Sequence, residues 1–258
     1  MLESGDDRFI ADRYLSIPAD QKDSLKIMNG KVVIITGAFG TLGRVVASKF
    51  SRLGARIVLI DKAPNPPADL GHIAAGDCEC ISNVDIADPT VASQTIERIR
   101  STMTSVDALV NLAGGFRWEL VADGQWRTWD DLYRMNVQTT VNMCRAVLPI
   151  LTRQGRGRIV NIGASAALKA AKGMAPYAAA KAAVHRLTES LAEELKGQAT
   201  VNAVLPTIID TPQNRREMPD ADFTTWVRPD ELASLIAFLV SEDGGAITGA
   251  LIPVNGRM

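Results

Sequence analysis

Cysteine and histidine are scarce in this chain of 258 residues, which contains three cysteines and two histidines. Cys78 and Cys80 form a single C-x-C pair, whereas a structural zinc site needs four cysteine or histidine ligands. We therefore expect no bound metal. Three cysteines without a disulfide framework are typical of a reducing compartment, so we expect a cytoplasmic location.

An excess of one charge and a long apolar run are also missing. The chain has 28 basic and 29 acidic residues, so no strong electrostatic field would attract nucleic acid or an anionic membrane. No apolar stretch approaches the ~20 residues of a membrane-spanning helix, and the acidic segment from Met1 to Asp7 is unlike a signal peptide. We expect neither a nucleic-acid partner nor a membrane partner.

The apolar content, 47% of the residues, is ordinary for a globular protein, and the length suits one domain. We predict an N-terminal arm over residues 1–28 and a single domain over residues 29–258. The segment from Asp6 to Leu15 has the pattern of a short helix, which Pro18 would end. This arm has two interpretations that the sequence leaves open. It packs on the domain or on a partner subunit, or it is a partly disordered leader.

Strand and helix patterns alternate through residues 29–258. Apolar runs predict strands at Val32–Ile35, Arg56–Ile60, Cys80–Asn83, Ala108–Asn111, Arg158–Ile162, Thr200–Leu205 and Leu251–Val254. Helices are predicted at Arg44–Leu53, Pro89–Met103, Trp129–Leu151, Ala175–Lys196 and Pro229–Val240. Such alternation is typical of an α/β fold, in which helices cover both faces of a doubly wound parallel sheet.

Three glycines follow the first predicted strand, at Gly37, Gly40 and Gly43, in the spacing G-x-x-G-x-x-G. A strand that turns tightly into a helix through glycines presents free backbone N–H groups and a helix N-terminus. This arrangement holds the pyrophosphate of a dinucleotide. Glycine turns are also common where nothing binds, so the interpretation depends on two later features.

Asp61 is the first of these features, because it ends the predicted strand Arg56–Ile60, about 20 residues beyond the glycine turn. A carboxylate there can accept hydrogen bonds from the adenosine ribose and repels a 2′-phosphate, which favours NAD over NADP. A solvated charge at a strand end is the alternative. Arg44 and Lys62 are nearby cations that would weaken the preference.

Tyr177 and Lys181 are the second feature, separated by three alanines in a segment with strong helix propensity. The i, i+4 spacing places the phenol and the ammonium on one helix face. An ammonium about 4 Å away favours the phenolate by ~4 kcal/mol at an effective dielectric constant near 20, or ~3 pKa units before solvent screening. We therefore predict a tyrosine that exchanges a proton with a carbonyl or alcohol near pH 7. A surface pair on an alanine-rich helix is the alternative.

With these features, the chain resembles the short-chain dehydrogenase/reductase family over roughly residues 30–258. The matching segments are Thr36-Gly37-x-x-Gly40-x-x-Gly43, Asp61, Val84-Asp85-Ile86, Asn111-Leu112-Ala113-Gly114, Met135-Asn136-Val137, Tyr177-x-x-x-Lys181 and Leu205-Pro206…Thr211. The resemblance implies a single-domain Rossmann fold with a seven-stranded sheet in the order 3-2-1-4-5-6-7. It also implies NAD(P)-dependent hydride transfer to or from a small carbonyl or alcohol substrate, and assembly as a homodimer or homotetramer.

The same resemblance implies roles for individual residues. Tyr177 is expected to be the acid/base, Lys181 to bind the nicotinamide ribose and activate the phenol, and Asn136 to support a water-mediated proton relay. Asp85 is expected near the adenine. The expected coenzyme-binding residues are Gly37, Phe39, Gly40, Thr41, Leu42, Gly43, Asp61, Asp85, Ile86, Asn111, Ala113, Gly114, Tyr177, Lys181, Pro206 and Thr211.

One departure from the family pattern concerns the serine that many members place thirteen residues before the tyrosine. Ala164 stands at that position and Ser165 follows it. Either the backbone brings Ser165 into the same role, which makes it a catalytic candidate, or the enzyme works without that donor. The segments Gly163 to Leu168 and Leu205 to Arg216 resemble dihydropteridine reductases, which lack that serine and use an NADH-selecting aspartate.

Three functions therefore stay open. The first is an NAD-dependent dehydrogenase or reductase of carbonyl and alcohol substrates, with NADP less favoured. The second is NADH-dependent reduction of a quinonoid pterin or a related heterocycle. The third is an NAD-binding regulator without chemistry, which the missing serine favours and the set of Tyr177, Lys181 and Asn136 disfavours.

Overall fold

The computed structural model describes residues 27–71, 73 and 77–257. Within these residues, seven strands form one parallel sheet in the order β3-β2-β1-β4-β5-β6-β7, which confirms the predicted Rossmann topology. The strands are β1 (Val32–Thr36), β2 (Arg56–Ile60), β3 (Cys78–Ile81), β4 (Ala108–Asn111), β5 (Arg158–Ile162), β6 (Thr200–Pro206) and β7 (Leu251–Val254).

Helices cover both faces of this sheet. They are α1 (Thr41–Arg52), α2 (Pro89–Thr102), α3 (Trp126–Tyr133), α4 (Thr139–Gln154), α5 (Ala175–Glu194), α6 (Pro212–Glu217) and α7 (Pro229–Val240). Short 3₁₀ turns occur at Ala68–Leu70, Ser165–Ala167 and Phe223–Thr225. No described helix is long and apolar enough to cross a membrane.

Strand β1 shows why the sheet is buried on both sides. All five of its residues are buried, and alternate side chains enter two separate cores. Val33 and Ile35 pack with α1 and α7, whereas Val32 and Ile34 pack with α2, α4 and α5. Near-continuous apolar strands are therefore required by a sheet covered on two faces.

The predicted elements differ from the structure in a few places. β3 begins and ends two residues earlier than predicted, because Asn83 takes a left-handed conformation (φ 59°) that ends the extended chain. The single helix predicted at Trp129–Leu151 is instead α3, a π-helical segment at Arg134–Gln138, and α4. The short helix α6 was not predicted.

The predicted arm falls almost entirely outside the described residues, as does the helix predicted from Asp6 to Leu15. Its last residue, Met28, is 1% exposed and packs in the core beneath α1. The backbone N–H of Met28 donates to the Leu53 carbonyl oxygen at 3.1 Å. Residue 28 is therefore held by the domain.

Candidate active site

A cleft of about 750 Å³ opens at the carboxyl ends of the central strands. The sheet order reverses between β1 and β4, and parallel α/β sheets bind ligands at such a switch point. The cleft is lined by predicted coenzyme residues, namely Gly37, Phe39, Gly40, Thr41, Leu42, Gly43, Asp61, Asp85, Ile86, Ala113, Gly114 and Thr211.

The glycine turn lines this cleft, and its backbone leaves no space for a side chain at Gly37 or Gly43. Gly37 has φ 62°, and a Cβ atom on it would lie 2.7 Å from the Ala113 nitrogen. A Cβ atom on Gly43 would lie 2.5 Å from the Gly37 oxygen. Gly40 caps α1 without a side-chain hydrogen bond, so the first-turn amides of α1 are left for an anion. This turn fits a pyrophosphate.

Asp61 lies beside the turn with its carboxylate fixed by two backbone amides. Phe39 N–H donates to Oδ2 and Ala63 N–H donates to Oδ1, each at 3.0 Å. The nearby cation Arg44 is paired with Asp69, whereas Lys62 lines the cleft. The carboxylate thus faces the cleft with lone pairs left for hydroxyl donors.

Asp85 lies on the opposite wall and makes an ion pair that the sequence did not indicate. Arg134 Nη2 is 2.6 Å from Asp85 Oδ2, and Ala87 N–H donates to Oδ1 at 3.0 Å. Burial opposes ionisation of Asp85, but these bonds outweigh it and hold the pKa of its carboxyl below the usual range. Arg134 also lines the cleft.

Tyr177 lies near the N-terminus of α5, half-buried against an aromatic side chain. The edge of one ring meets the face of the other between Phe116 and Tyr177, with centroids 5.0 Å apart and an interplanar angle of 87°. Burial raises the pKa of Tyr177 to about 12. The sequence predicted a lowered pKa, so the direction in the free protein is the reverse.

Lys181 explains this difference. Its side chain is 5% exposed, and Nζ donates to the Ile162 carbonyl oxygen at 2.8 Å. Burial lowers the pKa of Lys181 to about 8. The ammonium is thus bonded to the last residue of β5. At Tyr177, the cost of burying the phenolate outweighs any attraction from this ammonium. A Cβ atom on Gly114, in the cleft wall, would lie 3.4 Å from Nζ.

Asn136 lies in the π-helical segment with its side chain fully buried. Its Nδ2 donates to the Gly115 and Leu132 carbonyl oxygens at 3.0 and 2.9 Å, and its Oδ1 accepts the Gly115 N–H at 3.2 Å. A Cβ atom on Gly114 would lie 2.6 Å from Oδ1. Asn136 therefore fixes the loop that follows β4 beside Lys181.

Comparison with known proteins identifies the family. Residues 31–222 match the family model described as short chain dehydrogenase. The chain belongs to the short-chain dehydrogenase family.

Relatives of the chain match most of its length. It is 31% identical to the 3-oxoacyl-[acyl-carrier-protein] reductase FabG of Pseudomonas aeruginosa, over 90% of this chain and 98% of that protein. It is likewise 31% identical to Nodulation protein G of Azospirillum brasilense, over 90% and 99%. The crystal structure of gox2181 has a TM-score of 0.80 at 26% identity, covering 90% of this chain and 96% of that one. The expected homo-oligomer and cytoplasmic location stay predictions.

Ser165, a predicted catalytic residue, has its hydroxyl engaged in hydrogen bonds with the protein. Its Oγ donates to the Leu205 carbonyl oxygen at 2.8 Å and lies 3.1 Å from Asn255 Oδ1. Ala164, at the usual serine position, is 3% exposed. These contacts count against a substrate-binding hydroxyl at Ser165, whose catalytic role stays a prediction.

Asn111, Pro206 and Thr211 are three further predicted coenzyme residues, and each has a place in the packing or capping of the fold. Asn111, 3% exposed at the end of β4, donates from Nδ2 to Asn161 Oδ1 at 2.9 Å. Pro206 is the buried last residue of β6. Thr211 both lines the cleft and caps α6, accepting the Asn214 N–H at 3.1 Å. Of the predicted coenzyme residues, four are not part of the cleft lining: Asn111, Tyr177, Lys181 and Pro206.

His185 is a site-supporting residue that the sequence analysis missed. It is 1% exposed, and its Nε2 accepts the Ala164 N–H at 3.3 Å. Burial lowers the pKa of His185 to about 4, with Arg186 and Lys181 adding to the effect, so the ring is neutral at pH 7. The sequence spacing could have indicated this role, because His185 lies four residues after Lys181, on the same helix face.

Proposed function

We propose that this protein is an NADH-dependent reductase that delivers a proton from Tyr177 to the carbonyl oxygen of a small-molecule substrate. A bound nicotinamide would supply the hydride to the carbonyl carbon. The glycine turn would hold the pyrophosphate, Asp61 the adenosine ribose, and Lys181 the nicotinamide ribose.

Asp61 supports NADH as the preferred coenzyme. Its carboxylate is oriented by the Phe39 and Ala63 amides, and a 2′-phosphate beside it would meet a like charge. Arg44, a cation that would have offset this repulsion, is already paired with Asp69. Lys62 lines the cleft and would still favour NADPH.

Tyr177 is in the protonation state that carbonyl reduction requires. With a pKa of about 12, the phenol is protonated at pH 7, which is the form that donates to a carbonyl oxygen. Below its pKa of about 8, Lys181 carries the positive charge that favours the phenolate left after the transfer.

The observation that carries the proposal is the position of Gly114. This residue lines the coenzyme cleft, and a side chain on it would contact both Asn136 Oδ1 and Lys181 Nζ. The cleft and the buried ammonium therefore share one wall, so a dinucleotide in the cleft would extend toward Lys181 and Tyr177.

Replacement of Tyr177 by phenylalanine tests the proposal. Loss of the proton donor should lower kcat by about 10²- to 10⁴-fold while the Kd for NADH, measured by fluorescence titration, changes little. Tyr133→Phe is the matched control, because Tyr133 is 50% exposed and its phenol has no assigned role. Turnover by Tyr177→Phe at the wild-type rate would refute the assignment.

A quinonoid pterin is the second candidate substrate, and Ala164 with Ser165 favours it. With Ala164 buried and the Ser165 hydroxyl bonded to Leu205, the serine donor used by many relatives on a ketone oxygen is missing. NADH oxidation should be compared with quinonoid dihydropterin, simple ketones and a 3-oxoacyl thioester, the last suggested by the named relatives. Tight NADH binding without turnover of any of them would favour an NAD-binding regulator.

A further inference from the structure

Cys78 and Cys80 form a pair of thiols that the proposed reaction does not use. They lie two residues apart on β3, so both side chains project from the same face of the strand. Their sulfur atoms are 3.9 Å apart. Cys80 is exposed and Cys78 is half-buried, so a solvent-borne reagent reaches the pair through Cys80.

We infer that Cys78 and Cys80 are a modification site, at which a hydroperoxide converts the two thiols into an intrachain disulfide that loosens the adenosine side of the cleft. The Cys80 sulfur attacks one oxygen of the hydroperoxide, so that an S–O bond forms as the O–O bond breaks. The thiol proton passes to the departing oxygen, which leaves a sulfenic acid on Cys80 and releases an alcohol or water. The Cys78 sulfur then displaces the sulfenic oxygen as water, forming the S–S bond. The pair loses two electrons and two protons, and the hydroperoxide is reduced.

Strand geometry makes this disulfide both possible and disruptive. Residues i and i+2 of a strand have Cα atoms ~6.6 Å apart, near the upper limit for a disulfide. Their Cβ atoms are similarly spaced, whereas a disulfide needs roughly 3.5–4.5 Å, so β3 must pucker for the bond to form. Among the described strands, β3 is at the edge of the sheet and pairs with β2 alone, so it can shorten without displacing a second described strand. A bond formed under such strain is easily reduced again.

The effect reaches the cleft through Asp61. Both backbone groups of Asp61 bond to the chain just after the cysteines: its N–H donates to the Ile81 oxygen at 3.1 Å, and its oxygen accepts the Val84 N–H at 3.0 Å. Val84 and the two residues that follow it line the cleft. Shortening β3 therefore shifts Asp61 and the facing wall together.

Mass spectrometry of the full chain after hydrogen peroxide treatment gives the first test. We expect the protein to lose the mass of two hydrogen atoms. The loss should map to the peptide that contains both Cys78 and Cys80, and dithiothreitol should reverse it. Cys78→Ser and Cys80→Ser are matched controls, each unable to form the bond. Sulfinic acid on Cys80, or a disulfide between two chains, as the main product would overturn the inference.

Two measurements test the coupling to the cleft: the Kd for NADH and the rate of amide hydrogen exchange. Only the first rests on the proposed function. We expect oxidation to raise the Kd for NADH roughly five- to tenfold in the wild type and to leave it unchanged in Cys80→Ser. Independently of any coenzyme, hydrogen exchange at the Asp61 and Val84 amides should be faster in the disulfide form. A disulfide with unchanged exchange at both amides would overturn the coupling, whereas no NADH binding by the reduced protein would contradict the proposed function alone.

Discussion

At the scale of single residues, burial shifts Tyr177 and Lys181 toward their neutral forms. Desolvation raises the pKa of the phenol to about 12 and lowers that of the ammonium to about 8. The sequence supports only the expectation of an attraction between the two groups, because i, i+4 spacing fixes a shared helix face but not what else the ammonium contacts. The hydrogen bond from Lys181 to Ile162 and the depth of the phenol come from tertiary packing.

The pKa of Lys181 predicts an alkaline limit to activity. The ammonium is charged below about pH 8 and loses its proton as the pH rises through that value, so the support for a phenolate on Tyr177 disappears. We expect kcat/KM for carbonyl reduction to fall above about pH 8, since this ratio reports pKa values of the free enzyme. Lys181→Met should have low activity that does not fall further above about pH 8. If the fall near pH 8 persists in this variant, a group other than Lys181 causes it.

Asp61 predicts coenzyme selectivity. Removing the carboxylate in Asp61→Ala should lower the ratio of kcat/KM for NADH over NADPH by about tenfold, or 1.4 kcal/mol, because ribose hydrogen bonds and phosphate repulsion are lost together. Glu97→Gln is a control that removes an exposed carboxylate on α2, which pairs with Arg100 outside the cleft. The same ratio in Asp61→Ala as in the wild type would contradict the assignment of Asp61.

At the scale of elements, the apolar pattern was sufficient to locate all seven strands of the described sheet. The bounds of β2, β4, β5, β7 and α7 match the predictions. Glycines bracket β5, and polar residues bracket α7. The π-helical segment at Arg134–Gln138 was missed, since one extra residue in a helical turn barely alters the apolar pattern. α6 was missed because it is short and polar, although Thr211 followed by Pro212 is a usual helix start.

The π-helical segment predicts a specific effect of Asn136→Ala. The substitution leaves the Gly115 N–H and the Gly115 and Leu132 oxygens without the side-chain partner they have now, at a cost of about 1–3 kcal/mol for each group left unsatisfied. The loop beside Lys181 is released at the same time. We expect a lower free energy of unfolding by urea denaturation and a lower kcat.

Asn142→Ala is the comparison for Asn136→Ala. Asn142 lies in α4, and its Nδ2 donates to the Ile86 and Ala87 oxygens on the adenosine side of the cleft. This variant should lose stability and raise KM for NADH while kcat changes little. Equal kcat values in the two variants would mean that Asn136 contributes to the fold alone.

At the scale of the whole molecule, the site is made by ends of strands that lie far apart in the sequence. The glycine turn follows β1, Asp61 follows β2, Gly114 follows β4, and Lys181 reaches the end of β5. Buried side chains lock neighbouring strands and a helix together: Asn111 on β4 donates to Asn161 on β5, which donates to Thr188 on α5 at 2.9 Å. Such a network is invisible to local periodicity, because its partners are 27 to 50 residues apart.

Because the cleft joins several strand ends, a ligand in it should stabilise the whole chain. A ligand that binds only the native state adds RT ln(1 + [L]/Kd), or about 2.7 kcal/mol at 100 times its Kd. For a domain of this length that corresponds to a rise in Tm of roughly 5–10 °C. NADH should give this shift by differential scanning fluorimetry, and NADPH at the same concentration a smaller one. Asp61→Ala should bring the two shifts closer, and an unchanged Tm at saturating NADH would mean that the cleft takes another ligand.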